Sequence, residues 1–220
     1  LKIFGIDYSV NSPAVVRIHI DSDLNETDIS YLGFSDVKKT AEIDKNNIIY
    51  YNKKQFNNYI EKIYWFRDNI LDFMKLDKDD IVGLESYAFC AKGKVFNIAE
   101  ATFSIKSAIY DSGAKLRTYE PTLIKKFSTG KGTANKEAML EEFNRSEYKE
   151  LFGDLPSNNP KEDLVDAFYI AKLLLTELRI RRGLVKLSDL SEKQIEVFNA
   201  TSKSNPENIL VRDFLSKLDN

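Results

Sequence analysis

Apolar residues recur along this chain in two periods, and the order in which those periods appear outlines a fold. Lys2-Ile3-Phe4-Gly5-Ile6-Asp7 is a short apolar run that ends on an acid, the pattern of a buried strand. Ala14–Ile20 alternates and is rich in β-branched residues, which predicts a second strand entered through a turn at Asn11-Ser12-Pro13. A third strand comes from Ile29–Phe34 or from Ile48–Tyr51, with the polar stretch between them read as a loop or insertion. From Gln55 to Met74 the residues Phe56, Tyr59, Ile60, Ile63, Phe66, Ile70, Leu71 and Met74 fall three and four apart, the stripe of an amphipathic helix. Ile81-Val82-Gly83-Leu84-Glu85 returns to a strand and again ends on an acid.

Gly93–Ser112 reads as a helix whose small residues, Ala99, Ala101, Ser104, Ser107 and Ala108, allow close packing against a neighbour. Lys115–Tyr119 is a further strand, halted by Pro121, and a short helix is expected from Thr122. A Gly-containing loop follows at Thr129–Thr133, then a helix from about Asn135. Beyond the polar loop Pro156–Pro160, Lys161–Arg182 is the most strongly helical segment in the chain. Strands first, then strands alternating with helices, predict an α/β fold: a mixed sheet flanked by helices. Residues 1–183 form one domain in this reading. Residues 184–220 form a C-terminal helical extension, with two short helices starting near Ser191 and Pro206.

Composition narrows the classes. With 220 residues, 43% hydrophobic and 30% charged, the chain suits one globular domain with a substantial core and an appendage. Its single cysteine, Cys90, excludes an internal disulfide framework, and one Cys with one His falls short of the four ligands of a structural zinc site. No apolar run approaches the ~20 residues of a membrane span, and the chain opens directly into a strand, so no membrane association and a cytoplasmic setting are expected. The net charge of −2 says nothing of a nucleic-acid partner. Its distribution says more: Lys115 to Lys136 is rich in lysine, whereas acids collect in 21–44 and 137–154.

Four acids stand where chemistry can use them. Asp7 and Glu85 each end an apolar strand, which delivers them to a sheet edge; Asp163 and Asp166 lie three apart on one helix face. Each has an ordinary explanation when taken singly. An acid after a strand serves as a turn residue or helix cap, and acids in a first helical turn suit the macrodipole. Converging together, they could not all stay ionised without a cation, and hard oxygen ligands favour Mg²⁺ or Mn²⁺. Two such ions would stabilise both the attacking and the leaving oxygen of a phosphodiester. The glycines Gly130 and Gly132 would let backbone amides approach a phosphate ahead of the helix at Asn135; a flexible connector with a solvated lysine is the plainer alternative.

The series of motifs resembles the RuvC-type Holliday junction resolvases over about residues 3–173. Ile3-Phe4-Gly5-Ile6-Asp7 resembles that family's first strand with its metal-binding Asp, and Val82-Gly83-Leu84-Glu85 the strand bearing its Glu. Tyr119-Glu120-Pro121 with Ile124-Lys125-Lys126 is similar to the strand and helix that lead to a basic residue. Thr129-Gly130-Lys131-Gly132-Thr133-Ala134-Asn135-Lys136 is similar to the family's Gly-x-Gly-x-Ala-x-Lys stretch, and Asp163-Leu164-Val165-Asp166-Ala167 to the Asp-x-x-Asp-Ala that opens its last catalytic helix. The resemblance implies a ribonuclease H-like fold and a homodimeric, structure-selective endonuclease that cuts branched DNA. It implies that Asp7, Glu85, Asp163 and Asp166 hold the metal, two Mg²⁺ ions replaceable by Mn²⁺, and that Lys125 and Lys136 contact scissile-strand phosphates. Lys131 in the Gly loop is a further candidate substrate contact. Tyr87 and Phe89 follow the catalytic strand and would either stack on an unpaired base at a branch point or pack into the core. The small-residue helix Gly93–Ser112 is the candidate dimer seam, packing against its own sheet being the alternative.

The chain departs from that pattern at Tyr8-Ser9, where the family usually has Pro-Gly, in a longer 21–50 region, and in residues 184–220. These departures fit a divergent, viral relative working in the host cytoplasm. Three other readings stay open: a related nuclease acting on flaps, RNA–DNA hybrids or packaged genomes; a branched-DNA-binding protein that has lost catalysis; and a sugar-kinase-like ATPase. The last requires phosphate-binding glycine loops that do not follow Asp7.

Overall fold

A computed structural model describes residues 1–36, 47–86, 95–153, 155 and 160–201. β1 (Lys2–Asp7), β2 (Ala14–Ile20) and β3 (Glu26–Asp36) form an antiparallel meander, and β4 (Ile48–Tyr51) adds to β3 in parallel. Both candidates for the third strand are therefore strands, paired with each other. β5 (Ile81–Glu85) lies parallel to β1, and β6 (Lys115–Tyr119) parallel to β5. The order across the sheet is β4-β3-β2-β1-β5-β6. Every strand except β2 points the same way, so Asp7, Asp36, Tyr51, Glu85 and Tyr119 mark one common edge.

Alternation sorts the strand residues between two cores. Phe4, Ile6, Val15, Phe34, Val82, Leu84 and Leu116 pack under α1 (Tyr59–Met74) and α2 (Val95–Asp111). α1 begins later than the apolar stripe suggests. The Asn58 side chain accepts a hydrogen bond from the Glu61 amide and starts the helix there, while Lys53–Gln55 forms a separate 3₁₀ turn. Phe56 lies between the two and packs on Tyr51 and Trp65, with ring centroids 5.9 and 5.4 Å away.

Ile3, Val16, Ile18, Tyr31 and Ile81 face the opposite core, with α3 (Pro121–Thr129), α4 (Lys136–Arg145), α5 (Lys161–Arg181) and α6 (Glu192–Thr201). Most of α5 is buried, and it sits directly on β1 because Gly5 has no side chain. A Cβ at Gly5 would lie 2.1 Å from the Ala167 carbonyl oxygen and 2.4 Å from the Ala171 nitrogen. α6 belongs to the same core, since Val197 and Phe198 are fully buried in it. The helix expected from Pro206 lies outside the described residues. Beneath α6, Glu177 of α5 accepts hydrogen bonds from Arg117 (3.1 Å), Tyr119 (2.6 Å) and Arg181 (3.0 Å), and Arg117 also donates to the Thr201 carbonyl at 3.0 Å. No helix of the described residues is long and apolar enough to cross a membrane.

Candidate active site

The same alternation that builds the cores aims the acids. On β1, Ile3, Gly5 and Asp7 share the face beneath α5; on β5, so do Ile81, Gly83 and Glu85. Leu84 pairs with Ile6, which sets Glu85 level with Asp7 on the adjacent strand, ~4.8 Å away across the sheet. α5 runs opposite to β1. With Ala167 seated on Gly5, the preceding helical turn carries Asp163 and Asp166 over the end of β1. One oxygen each from Asp7, Asp163 and Asp166 lies within 4.8 Å of the others. Among the described residues no other set of three acidic, His or Cys side chains converges in this way.

Lys136 faces this cluster from the first position of α4. Its Nζ donates to Asp163 Oδ1 and lies 3.4 Å from Asp166 Oδ2. Asp163 Oδ2 is buried and has no hydrogen-bond partner among the described residues. Such an oxygen is costly to leave unmatched in a folded protein.

Electrostatics follow from this crowding. Burial raises the Asp7 carboxyl well above the usual carboxylate range, and Asp166, Glu85 and Asp163 push it further, with only Lys136 pulling it down. Burial and then Asp166 push Glu85 up to about 7, against Lys125 and Lys136. Burial raises Asp166 to about 6 while Lys136 opposes the rise and Asp163 adds to it. Burial alone would lower the Lys136 ammonium, but Asp163 and Asp166 outweigh it and hold that group above its ordinary value. Near neutral pH the cluster cannot carry all of its negative charges and keeps protons in their place, which is the condition for exchanging protons for a cation. Converging hard oxygens and the unmatched Asp163 oxygen fit a divalent metal.

The remaining sequence candidates fall in different places. Lys125, on α3, is half-buried and near enough to act on Glu85 and Asp166. Lys131 is exposed on the loop, and its amide donates to Thr129 Oγ1 at 3.1 Å. Tyr87 and Phe89 lie outside the described residues. Lys126 turns away to Glu196 of α6 at 3.0 Å.

The glycines of the loop have local structural tasks. Gly130 adopts φ 77° and closes α3, its amide donating to the Lys126 carbonyl. A Cβ at Gly132 would come within 3.1 Å of the Thr122 carbonyl oxygen. The Ala138 amide is capped by Asn135 Oδ1 at 3.0 Å. The glycines thus end one helix and pack the loop against it, which sets where Lys136 begins the next. The pairing of Lys136 with Asp163 and Asp166 has no local signal in the sequence, because 27 residues separate Lys136 from Asp163.

A mixed six-stranded sheet flanked by helices, with carboxylates gathered at one edge, defines the class: an α/β protein of ribonuclease H-like fold. No protein-family model matches the chain, and neither does any curated protein sequence. Among solved structures, the chain is similar to Thermus thermophilus RuvC in complex with a Holliday junction substrate. The TM-score is 0.52 at 17% identity, covering 83% of this chain and 96% of that one. A second Thermus thermophilus RuvC structure gives a TM-score of 0.48 at 17% identity, over 83% and 96% of the two chains. The fowlpox virus Holliday junction resolvase gives 0.46 at 14% identity, over 80% and 99%. At such identities the first likeness establishes the fold, and the site has to be argued from this chain's own residues.

Proposed function

We propose that the protein is a metal-dependent endonuclease that resolves four-way and other branched DNA junctions, working as a homodimer. The observation that carries this reading is the convergence of Asp7, Asp163 and Asp166, with Glu85 level beside Asp7, at the sheet edge that Lys136 faces. The fold supports it, because the complex of Thermus thermophilus RuvC with a Holliday junction shares this architecture. Asp7, Glu85, Asp163 and Asp166 would hold Mg²⁺ or Mn²⁺, two ions per site. Such ions, when bound, supply an activated water and neutralise charge on the leaving oxygen.

The chain's own groups then have distinct tasks. Asp163, buried and fixed on α5, anchors the site. Glu85, pushed up to about 7, can hold a proton near neutral pH until a cation displaces it. Lys136 offers its ammonium to the scissile phosphate, where negative charge grows as water attacks phosphorus and the P–O3′ bond breaks to leave a 5′-phosphate. Lys125 and Lys131 extend the positive flank beside it.

Two symmetric cuts across a junction require two sites, and α2 offers a surface for pairing. Of its small residues, Ala101 is buried in the protomer's own core with Ile105 and Ile109, while Ala99, Ser104, Ser107 and Ala108 are half-buried. The outer face carries Phe96, Phe103 and Tyr110, 83%, 68% and 69% exposed, at seven-residue spacing. That spacing places all three aromatics on one stripe, the form of an unpaired helix seam.

Cleavage of a synthetic four-way junction with Mg²⁺, Mn²⁺ or EDTA tests the reading, with flap, RNA–DNA hybrid and linear duplex substrates alongside. Metal-dependent, symmetric nicking of the junction is expected. Preference for the flap or the hybrid would transfer the site to a related nuclease, and binding without cutting under any metal would leave a DNA-binding protein.

A further inference from the structure

Lys136 is placed where a metal and a lysine cannot both be served. Its ammonium contacts Asp163 Oδ1 and approaches Asp166 Oδ2 at 3.4 Å, and both residues belong to the three-carboxylate group. We propose that Lys136 is a built-in counter-cation, which holds the acid cluster together in the metal-free protein and must be displaced when a divalent metal enters. The proposal rests on the metal-site reading above and adds a regulatory step to it: loading the metal releases the lysine that the scissile phosphate then receives.

The geometry gives the two partners unequal freedom. Asp163 is buried on α5, its side chain 5% exposed, and one of its oxygens is left without a donor. The ammonium therefore serves this carboxylate incompletely, and a multivalent cation would serve it better. Lys136 is 44% exposed on a four-carbon stem, while its backbone is fixed by the Asn135 cap on α4. Its head can leave the acids for solvent or phosphate without moving the helix. The acids stay and the lysine moves.

Competition follows by mass action. For Asp163 and Asp166 to hold a metal, their charge-assisted contact with Lys136 would have to be given up, which would weaken the apparent affinity. Lys125 provides the internal comparison. It acts through space on Glu85 and Asp166 but forms no ion pair with either among the described residues.

The test measures Mn²⁺ binding to the full chain by electron paramagnetic resonance of the free ion, for wild type, Lys136→Met and Lys125→Met. Lys136→Met is expected to bind Mn²⁺ on the order of tenfold or more tighter than wild type, the size of a lost charge-assisted contact, and Lys125→Met to change much less. Equal tightening in both variants would reduce the effect to distant charge and overturn the proposal, as would unchanged affinity in Lys136→Met. Wild type that takes up no Mn²⁺ even at millimolar concentration would instead overturn the metal-site reading itself. A second measurement needs no variant: acetylation of wild type with acetic anhydride, read by mass spectrometry with Lys131 as the exposed reference. Lys136 should react faster when Mg²⁺ is added. A rate that stays constant or falls overturns the proposal.

Discussion

Replacing Asp7 with Asn should stabilise the metal-free protein at pH 8, although it removes a residue the proposed reaction needs. Glu85 is moved from 4.5 to about 7 and Asp166 from 3.8 to about 6. At 1.36 kcal/mol per pH unit, each displacement corresponds to about 3 kcal/mol. The sign follows from proton uptake. A raised carboxyl keeps its proton in the folded state after the unfolded state has released it, so stability is greatest below pH ~4 and falls as pH rises through ~7. Asp7 lies higher than its ordinary value for the same reasons and feels three neighbouring acids. The repulsion belongs to the cluster, and the last group to ionise bears most of it. Asn at this position removes both the buried charge and its share of that repulsion. A gain of about 2 kcal/mol at pH 8 is expected, ~4–8 °C in Tm for a chain of this size, shrinking towards zero at pH 4–5. Thermal or urea denaturation in EDTA from pH 4.5 to 8.5 reads the effect. Adding Mg²⁺ should raise the Tm of wild type, because a metal held by the converging acids would bind only the folded state, and raise that of Asp7→Asn much less. A variant less stable than wild type at pH 8, or wild type with flat stability from pH 5 to 8, would refute the electrostatic account.

Other perturbations probe separate parts of the structure. Lys136→Ala should slow single-turnover junction cleavage on the order of 10²–10³-fold with modest loss of binding, whereas exposed Lys131→Ala should change little; equal small effects would return Lys136 to an ordinary surface lysine. Gly5→Ala drives a methyl into the α5 backbone, and should cost about 2 kcal/mol or more in urea unfolding and weaken Mn²⁺ binding as Asp163 and Asp166 lift from Asp7. Glu177→Ala leaves Arg117 and Arg181 buried without their shared carboxylate, and should lower unfolding free energy by about 3–5 kcal/mol; a loss under 1 kcal/mol would show the cluster to be solvated. Phe103→Asp on the outer face of α2 should convert a dimer to a monomer in sedimentation while leaving far-ultraviolet circular dichroism unchanged, and a variant that stays dimeric would move the seam elsewhere.

Periodicity carried most of the fold because most elements bury one face against one partner. The runs at β1, β2, β5 and β6 and the long helix α5 are bounded as their apolar patterns suggest. Where the pattern misleads, a local hydrogen bond overrides it. Phe56 fits the stripe of α1 yet stands outside the helix, since Asn58 offers the chain a better starting point. β4 was ambiguous for another reason. Four residues at a sheet edge contain too few alternations to separate an edge strand from a loop, and only its pairing with β3 decides.

The site was legible where a strand or helix fixes direction and illegible where the chain folds back. Period two puts Gly5 and Asp7 on one face and Gly83 and Glu85 on another strand's matching face; helical spacing puts Asp163 and Asp166 together. Nothing local announces that Ala167 seats on Gly5, and that contact is what superposes the two pairs. The Gly loop carries a demand that the sequence leaves open. Beside the phosphate-cradle reading of Gly130 and Gly132, a left-handed helix end and a close backbone approach are local reasons for glycine at these positions. Glycine records that the backbone needs room without saying what comes close. The effect on function is indirect but specific. By ending α3 sharply, the loop starts α4 at Asn135, and the first side chain of α4 is the lysine that reaches Asp163.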